Sequence, residues 1–573
     1  MAWYDEAVFY HIYPLGMCGA PKHNDYNQVE HRLNDLLPWI DHLTKLGVTG
    51  LYIGPLFESV GHGYETTDYK RLDSRLGDNA DLKKFVAACH KAGIRVILDG
   101  VFNHTGRDFF AFRDILEKRE ASAYRDWYCN VNFSGNNEYN DGFTYDNWGG
   151  YNLLVKLNQR NLQVKDYICD VVRFWVSEFD IDGIRLDAAD VLDFDFMKAL
   201  RGVANEVKDE FWLMGEVIHG DYSRWVNEGT LHSVTNYQLH KGLYSGLNDH
   251  NFFEIAHTVK RLYDMGGGHT NQFKLYNFVD NHDVERIYTK LNNKGHFGLV
   301  NILQYTLPGI PSIYYGSEFG IEGKKERFSD DSLRPCLRYD DYKDAFETNE
   351  CVRIIASLGR ARKLSRALSY GDYTQLTLTN RQYAYVRRDG DDHAIITLNC
   401  DDNSADFYLS VEGDKSYIGL LSGQRFSGEG GNIHVTLQAN TGEIWVTDNG
   451  QDFEKLLAKK KTKKASKAAT NVEAKVTRDA EAKVDTDVET KPATDAASKD
   501  VSRLGQGTDS SIEEDLLSLS LPDVPYEDMT VMQLQAAVAQ KMAGNGPVTD
   551  QMLKTITDNI WHDSLVNWVK SFR

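Results

Sequence analysis

The sequence lacks the excess of basic side chains that binding to nucleic-acid phosphates requires. Its 573 residues include 84 acidic and 64 basic side chains, which gives a formal net charge of −20 at pH 7. The sequence pI is about 5.4. Phosphate contacts need clustered lysine and arginine, so we expect no nucleic-acid partner.

Paired cysteines and long apolar runs are also missing. The seven cysteines lie far apart and form no CxxC pair, which disfavours a disulfide framework and a structural zinc site. The N-terminal stretch MAWYDEAVFYHIYPLGM has neither a basic leader nor an uninterrupted apolar run. We therefore expect no signal peptide and no membrane span, and the reducing cytoplasm is the simplest compartment.

What the sequence does contain, from residue 8 to residue 315, is an alternation of short apolar runs and longer amphipathic stretches. This pattern is typical of strand–helix units around a parallel sheet. Eight such units predict an α/β fold with a closed (β/α)8 TIM barrel, and an open doubly wound sheet is the alternative. The candidate strands are residues 8–13, 50–53, 95–99, 182–187, 212–216, 232–236, 274–280 and 312–316.

One connection within the barrel is unusually long. Residues 105–160 are rich in Asn, Gly, Asp and aromatic side chains, too long and too polar for a simple loop. They predict a small inserted domain after the third strand, so that the barrel consists of residues 1–104 and 161–355. Residues 356–450 contain β-rich segments separated by turn residues, which predicts a C-terminal antiparallel β-sandwich.

The C-terminal part has a different character. Residues 451–515 predict a charged low-complexity linker, because the stretch from 454 to 510 has no aromatic side chain and cannot bury enough apolar area to order itself. Residues 516–573 show apolar side chains at helical spacing, interrupted by GNGP at 544–547. They predict a tethered small helical module, which either mediates protein interaction or self-association or caps another domain.

A charged pair interrupts the fourth candidate strand, GIRLDAAD at residues 183–190. Side chains two apart in a strand share a face, so Arg185 and Asp187 emerge together. A nearby guanidinium favours the ionised form of a buried carboxyl group. The pair is either an interior salt bridge or a carboxylate that is kept charged for chemistry.

Other polar residues follow the third, fifth and seventh candidate strands, and active sites of TIM barrels lie where strands end. Two chemistries suit a barrel mouth rich in carboxylates: metal-assisted hydrolysis or lyase chemistry, and glycoside cleavage. His282 and Asp283 are neighbours that would point to opposite faces of a strand, which makes a poor metal-ligand set. Glycoside cleavage needs a charged nucleophile and a protonated acid. Arg185 accounts for a charged Asp187, whereas Glu216 follows the apolar WLMG with no cation beside it in sequence and is expected to keep a proton.

Several segments in order resemble the signature regions of the α-amylase family of retaining glycoside hydrolases. These are HGYETTDY at 62–69, DGVFNH at 99–104, LVKLNQRN at 154–161, GIRLDAAD, GEV at 215–217, FVDNHD at 278–283 and GIPSIYYGSE at 309–318. The resemblance covers residues 1 to about 450. Within the family, the sequence most resembles the neopullulanase and cyclomaltodextrinase group.

The resemblance implies a role for each matched residue. Asp187 is the expected nucleophile, Glu216 the general acid and base, and Asp283 the third carboxylate, with the first two carboxyl groups about 5 to 5.5 Å apart. The substrate-binding residues implied are Tyr64 as a stacking platform, His62, His104, Arg185 and His282, and Asp99 as a structural aspartate.

The implied activity is hydrolysis of α-1,4 bonds, with some α-1,6 tolerance, in malto-oligosaccharides, cyclodextrins or pullulan. The rivals are a 4-α-glucanotransferase with the same covalent intermediate and a non-catalytic carbohydrate-binding protein. Ile218 stands where many members have Trp, and Asn281 where they often have Ser. Asn103 occupies a position that some members use for calcium, but no DxDxDG-like run is present, so no cofactor is predicted.

Overall fold

The computed structural model describes residues 2–267, 273–327, 329–410, 415–448, 521, 526, 531–545 and 569–570. The chain divides into two compact units, Met1–Phe453 and Glu454–Arg573. The predicted linker at 451–515 lies outside the described residues, as does most of the predicted helical module.

Eight parallel strands form one sheet that closes into a barrel, as the sequence predicts. Consecutive strands along the chain are neighbours in this sheet, and the eighth returns to the first. The sixth and seventh strands meet through a single parallel bridge, Thr235 to Tyr276, which completes the ring. The strands are Phe9–Ile12, Gly50–Ile53, Arg95–Gly100, Gly183–Leu186, Trp212–Gly215, Ser233–Val234, Tyr276–Phe278 and Ile310–Tyr314.

Strand alternation separates an interior layer of the barrel from an exterior one. Phe9 and Trp212 stack inside it, with ring centroids 4.9 Å apart, while Tyr10 and Ile12 belong to the larger core that includes the helices. The same alternation explains the arginine and the aspartate in the fourth strand segment. Arg185 lies on the interior face of the barrel. A charged side chain can be accommodated on this face only near the open end of the barrel.

Helices cover the outside of the barrel and begin and end at recognisable signals. Asp78 caps the helix Asn79–Lys91 with a capping box to Asp81, and Gly93 at φ +80° follows its end, which confirms the predicted stop. Between the fifth and sixth strands the connection contains only the short 3-10 helix Tyr222–Arg224. The other main helices are Trp39–Leu46, Leu162–Phe179, Phe194–Val207, Tyr237–Asn248, Phe252–Met265, His296–Thr306 and Glu350–Leu364.

Two segments between barrel strands extend beyond the C-terminal ends of the strands. A hairpin of Phe57–Ser59 and Thr66–Leu72 carries the loop with His62 and Tyr64. After the third barrel strand, a helix and a small antiparallel sheet pack around Phe112, Tyr128 and Phe143. The helix is Phe110–Lys118, and the strands are His104–Thr105, Asn147–Trp148 and Tyr151–Lys156.

Antiparallel strands follow the barrel. Six form one sheet and two form another, and Phe407, Val435 and Trp445 lie in the apolar core that the two sheets share. This arrangement confirms the predicted C-terminal sandwich. The strands are Asp372–Leu378, Gln382–Asp389, Asp392–Asn399, Ser416–Gly419, Arg425–Ser427 and Thr441–Thr447 in one sheet, and Ala405–Ser410 and Asn432–Leu437 in the other.

In the second unit the structure describes the helix Val531–Asn545, in which Leu534 and Val538 are buried as their spacing predicts. It ends within the predicted GNGP break. Every helix in the described part of the chain is too short or too polar to cross a membrane.

Candidate active site

One arginine organises the mouth of the barrel. Arg185 Nη1 lies 2.8 and 2.9 Å from the two carboxylate oxygens of Asp99 and 2.9 Å from Oδ1 of Asp187. Its Nη2 lies 2.9 Å from Oε2 of Glu216. The guanidinium is 3% exposed, so these contacts replace its hydration. Three strand ends therefore place their carboxyl groups around a single buried cation, as the sequence suggested for Asp187.

Glu216 has no cation beside it in the sequence, but in the structure Arg185 lies against it. Sequence adjacency suggested that Arg185 serves Asp187 alone, but the fifth strand lies beside the fourth and brings Glu216 to the second nitrogen of the same guanidinium. The backbone N–H of Ala188 also points at Oε2 of Glu216, at 3.3 Å. Asp187 and Glu216 thus contact different nitrogens, Nη1 and Nη2, of the same guanidinium.

The charge expected for Asp187 also needs correction. Burial raises the pKa of Asp187 well above its usual range; Arg185 opposes this rise, and the carboxyl groups of Glu216 and Asp99 add to it. Burial likewise raises the pKa of Asp99 against the effect of Arg185. One positive charge cannot balance three carboxylates in a buried cluster, so the cluster favours retention of a proton.

Asp283 belongs to a second charged group, which follows the seventh strand. Asn281 Oδ1 accepts from the backbone N–H groups of Asp283 and Val284, at 2.8 and 3.1 Å, and forms the turn that presents Asp283. His282 Nε2 lies 3.0 Å from one carboxylate oxygen of Asp283, and Arg334 Nη2 lies 3.1 Å from the other. Burial alone would raise the pKa of Asp283, but His282 and Arg334 outweigh it and hold the pKa below its usual range. Asp283 therefore remains charged.

The predicted binding residues lie around these two groups. The Tyr64 hydroxyl hydrogen-bonds to His282 Nε2, and the two rings are nearly parallel with centroids 5.7 Å apart. His62 Nδ1 lies 3.3 Å from the carboxylate of Glu65. Burial lowers the pKa of His62 well below its usual range and that of His104 to about 3. Both imidazoles are therefore neutral near pH 7 and act as polar rather than charged groups.

Two residues at the site were not predicted from the sequence. Tyr237 begins the helix after the sixth strand, and its hydroxyl lies 3.2 Å from Oε1 of Glu216. Arg334 comes from the loop after the eighth strand and also donates to the backbone carbonyl of His282, at 3.1 Å. Tyr237 could have been suspected because it directly follows a strand end; the polar loop around Arg334 carries no such signal.

A groove of about 1050 Å³ lies between the region inserted after the third strand and residues 190–194, and none of the three carboxyl groups Asp187, Glu216 and Asp283 lines it. Asp190 lines this groove, and burial and then the charge of Glu216 raise the pKa of Asp190. The groove extends past Val191 and Phe194 to Tyr128 and Lys156. It has room for several sugar rings.

The described residues offer little for a metal ion. The cluster of His31, Asp78 and Asp81 is the one group of three potential His, Cys, Asp or Glu ligands found in the described ranges, and its carboxylates already cap the helix at Asn79–Lys91. Asn103, the position suggested for calcium, is buried with Nδ2 at 3.2 Å from His104 Nδ1 and with Oδ1 unpartnered among the described residues. A single amide oxygen falls short of the six to eight ligands that calcium takes.

Comparisons with known proteins agree on one family. The model of the alpha amylase catalytic domain matches residues 32–369. A cyclomaltodextrinase from Bacillus sp. is 32% identical over 424 residues, which are 70% of this chain and 74% of that protein. Neopullulanase 2 from Thermoactinomyces vulgaris is 30% identical over 77% of this chain and 78% of its own length. Among solved structures, a cyclomaltodextrinase superposes with a TM-score of 0.69 at 27% identity and covers 78% of each chain.

Proposed function

Because this chain belongs to the α-amylase family of glycoside hydrolases, we propose that it hydrolyses α-1,4 bonds in malto-oligosaccharides, cyclodextrins or related α-glucans by double displacement. One observation carries the proposal. Asp187 and Glu216 contact two nitrogens of the same guanidinium, so both carboxyl groups border one space at the barrel mouth. A sugar that reaches this space meets a nucleophile and an acid together.

In the first step Glu216 donates a proton to the glycosidic oxygen while Asp187 attacks the anomeric carbon, and a glycosyl-enzyme ester forms. In the second step water gives its proton to Glu216, attacks the same carbon and releases Asp187, so the α configuration is retained. The proton that the carboxyl cluster retains resides on Glu216 in the reactive complex. Arg185 then compensates the charge of Asp187 at 2.9 Å.

Asp283 would bind sugar hydroxyls as a permanently charged acceptor, since Arg334 and His282 keep it ionised. Tyr64, held to His282 and partly exposed, would offer its ring to the apolar face of a pyranose. His62 and His104 would supply neutral hydrogen-bonding groups. Asp99, which accepts from Arg185 and from the Tyr52 hydroxyl at 2.7 Å, would orient Arg185 rather than make or break bonds.

The names of the relatives support the proposed substrate class. The two relatives are named for the breakdown of cyclic maltodextrins and of pullulan. The groove lined by Asp190 and Lys156 has the volume for several glucose units. We therefore expect oligosaccharides and cyclodextrins to be cleaved well, and α-1,6 bonds more slowly. The seven free cysteines suit an intracellular site of action.

A 4-α-glucanotransferase is the second candidate, and one observation favours it. Ile218 and Val191 are each 39% exposed, on the segments that directly follow Glu216 and Asp187. Apolar side chains at the position of an incoming acceptor would favour a second sugar over water. Products longer than the substrate, formed from maltotriose, would identify transfer.

The test is a product profile on maltotriose, cyclodextrin, pullulan and soluble starch, with NMR detection of the anomer released first. Wild type should release α-anomers, and Asp187→Asn and Glu216→Gln should each abolish turnover on unactivated glucans. Asp249→Asn, an exposed carboxylate at a helix end, is the matched control and should behave as wild type. A near-normal rate in Asp187→Asn would refute the assignment, and no release of reducing sugar by wild type from any α-glucan would indicate a binding protein.

A further inference from the structure

The two carboxylate oxygens of Glu216 have different partners. Oε2 faces two donors, Arg185 Nη2 at 2.9 Å and the backbone N–H of Ala188 at 3.3 Å. Neither of these groups can accept a hydrogen bond, so a proton on Oε2 would point at other protons. Oε1 faces the Tyr237 hydroxyl at 3.2 Å. The proton that Glu216 transfers is therefore carried on Oε1.

The direction of the Tyr237 hydroxyl is fixed from its other side. Asn281 Nδ2 donates to the Tyr237 oxygen at 3.2 Å. The amide of Asn281 cannot reverse, because its Oδ1 already accepts from the backbone N–H groups of Asp283 and Val284. The one proton of Tyr237 is therefore free to point at Oε1 of Glu216. This chain of contacts joins the ends of the fifth, sixth and seventh strands.

The Tyr237 ring is held in place and keeps its proton. It packs edge-on against Phe278, with centroids 4.9 Å apart, and against His240, with centroids 6.3 Å apart. Burial and then the negative charges of Glu216 and Asp283 raise the pKa of the Tyr237 hydroxyl well above its usual range. The hydroxyl therefore stays a donor across the working pH range of an enzyme.

We propose that Tyr237 is a positioning residue for Glu216, and that Asn281 sets the direction of the Tyr237 hydroxyl. This inference rests on the proposed function. Once Glu216 has protonated the departing glycosidic oxygen, Oε1 becomes anionic and Tyr237 donates to it. The donor holds the carboxylate in place while the glycosyl-enzyme ester exists. Oε1 then uses its other lone pair to take the proton of the attacking water.

The proposal predicts a change in pH dependence when the hydroxyl is removed. Tyr237→Phe removes a donor that stabilises only the anionic form of Glu216, so the protonated form persists to higher pH. The alkaline limb of kcat/KM should move upward by about one pH unit. Asn281→Ser should move it in the same direction by less, because a serine hydroxyl can still form the turn but does not reach Tyr237.

A second readout separates positioning from packing. In Tyr237→Phe, kcat/KM should fall several-fold more on maltotriose than on 4-nitrophenyl α-maltoside, whose leaving group needs little protonation. Tyr222→Phe is the matched control. The Tyr222 ring is buried and its hydroxyl contacts Ile218 O and Gln238 N at 3.4 and 3.3 Å, but it contacts the carboxylate of neither Glu216 nor Asp283. Tyr222→Phe should keep the wild-type alkaline limb of kcat/KM. It should also keep the wild-type ratio of kcat/KM between maltotriose and 4-nitrophenyl α-maltoside.

The proposal would be overturned by two results together. These are a Tyr237→Phe variant that keeps the wild-type alkaline limb of kcat/KM, and a fall in its kcat/KM by the same factor on maltotriose and on 4-nitrophenyl α-maltoside. Glu216→Gln distinguishes this failure from failure of the proposed function. If Glu216→Gln is inactive on maltotriose while Tyr237→Phe keeps the limb, Glu216 acts without the help of Tyr237. If Glu216→Gln retains activity, the assignment of the acid itself is wrong.

Discussion

Arg334 Nη2 lies 3.1 Å from Oδ1 of Asp283, although 51 residues separate them in the sequence. The guanidinium is 14% exposed and also lies over the Tyr13 ring, 4.7 Å from its centroid. It is held additionally by Asp330 at 3.1 Å. A loop that follows the last barrel strand thus supplies the cation for the third carboxylate.

Replacement of this cation should impair the enzyme most at low pH. Arg334→Leu removes a group that lowers the pKa of Asp283, so the carboxylate protonates earlier as the pH falls, and the acidic limb of kcat/KM moves upward. A hydrogen bond to a charged group contributes about 1.5–3 kcal/mol, which corresponds to a loss of about 10- to 100-fold in kcat/KM. The measurement is the pH–rate profile on maltotriose.

Arg173→Leu is the control for that experiment, since Arg173 pairs with Asp170 and Glu206 on the outer helices. Arg173→Leu should change neither the acidic nor the alkaline limb of kcat/KM. An unchanged acidic limb in Arg334→Leu would show that Asp283 is kept charged by other groups.

A partly buried ion pair at the opposite end of the barrel should make stability depend on pH. His90 Nε2 lies 2.7 Å from Asp182 Oδ2 and His90 Nδ1 lies 3.3 Å from Asp180. Burial lowers the pKa of His90, but the two aspartates outweigh it and raise the pKa to about 9. Since this exceeds the unfolded value of about 6.5, the stabilisation is complete below pH 6.5 and is lost as the pH rises through 9.

His90→Gln should therefore lower the free energy of unfolding by about 3 kcal/mol at pH 6 and by much less above pH 10. Urea unfolding across this range measures the difference. His257→Gln, an exposed histidine on the helix Phe252–Met265, should show no such pH dependence. A constant difference between His90→Gln and wild type from pH 6 to pH 10 would contradict the ion pair.

Two helical glycines should respond in opposite directions to an added methyl group. A Cβ at Gly359 would lie 2.0 Å from the backbone oxygen of Leu46, where the helices Trp39–Leu46 and Glu350–Leu364 touch. Gly359→Ala must push these helices apart and should cost about 3 kcal/mol. A Cβ at Gly202 meets nothing within 4 Å, so Gly202→Ala should stabilise its helix by about 0.5–1 kcal/mol. Calorimetry of both variants tests the packing, and equal melting temperatures would contradict it.

Chelation should leave the enzyme unchanged. The site proposed here works with carboxylates, two arginines and imidazoles, and the Asn103 amide alone does not constitute a calcium site. Dialysis against EDTA should alter neither the rate on maltotriose nor the melting temperature. A loss that added calcium reverses would indicate ligands that these contacts do not reveal.

The sequence located the strands well because each is a short run of apolar side chains buried on both faces. It also placed Asp187, Glu216 and Asp283 at strand ends, and the barrel brings those ends together. It could not show that Arg185 is shared, because the contact with Glu216 depends on the register between the fourth and fifth strands. Arg334 was missed because its partners are distant in the chain and no local pattern marks it, whereas the position of Tyr237 after a strand end was a signal that went unused.

The closure of the barrel has a consequence for its motions. The sixth and seventh strands are joined by the bridge from Thr235 to Tyr276, with one further backbone bond from Asn236 to Tyr276. Thermal breathing of the wall should begin along this seam, and amide hydrogens there should exchange with deuterium sooner than those of the first four strands. Tyr237 and Asn281 lie just after the C-terminal ends of the sixth and seventh strands, so their hydrogen bond also opposes the separation of these two strands.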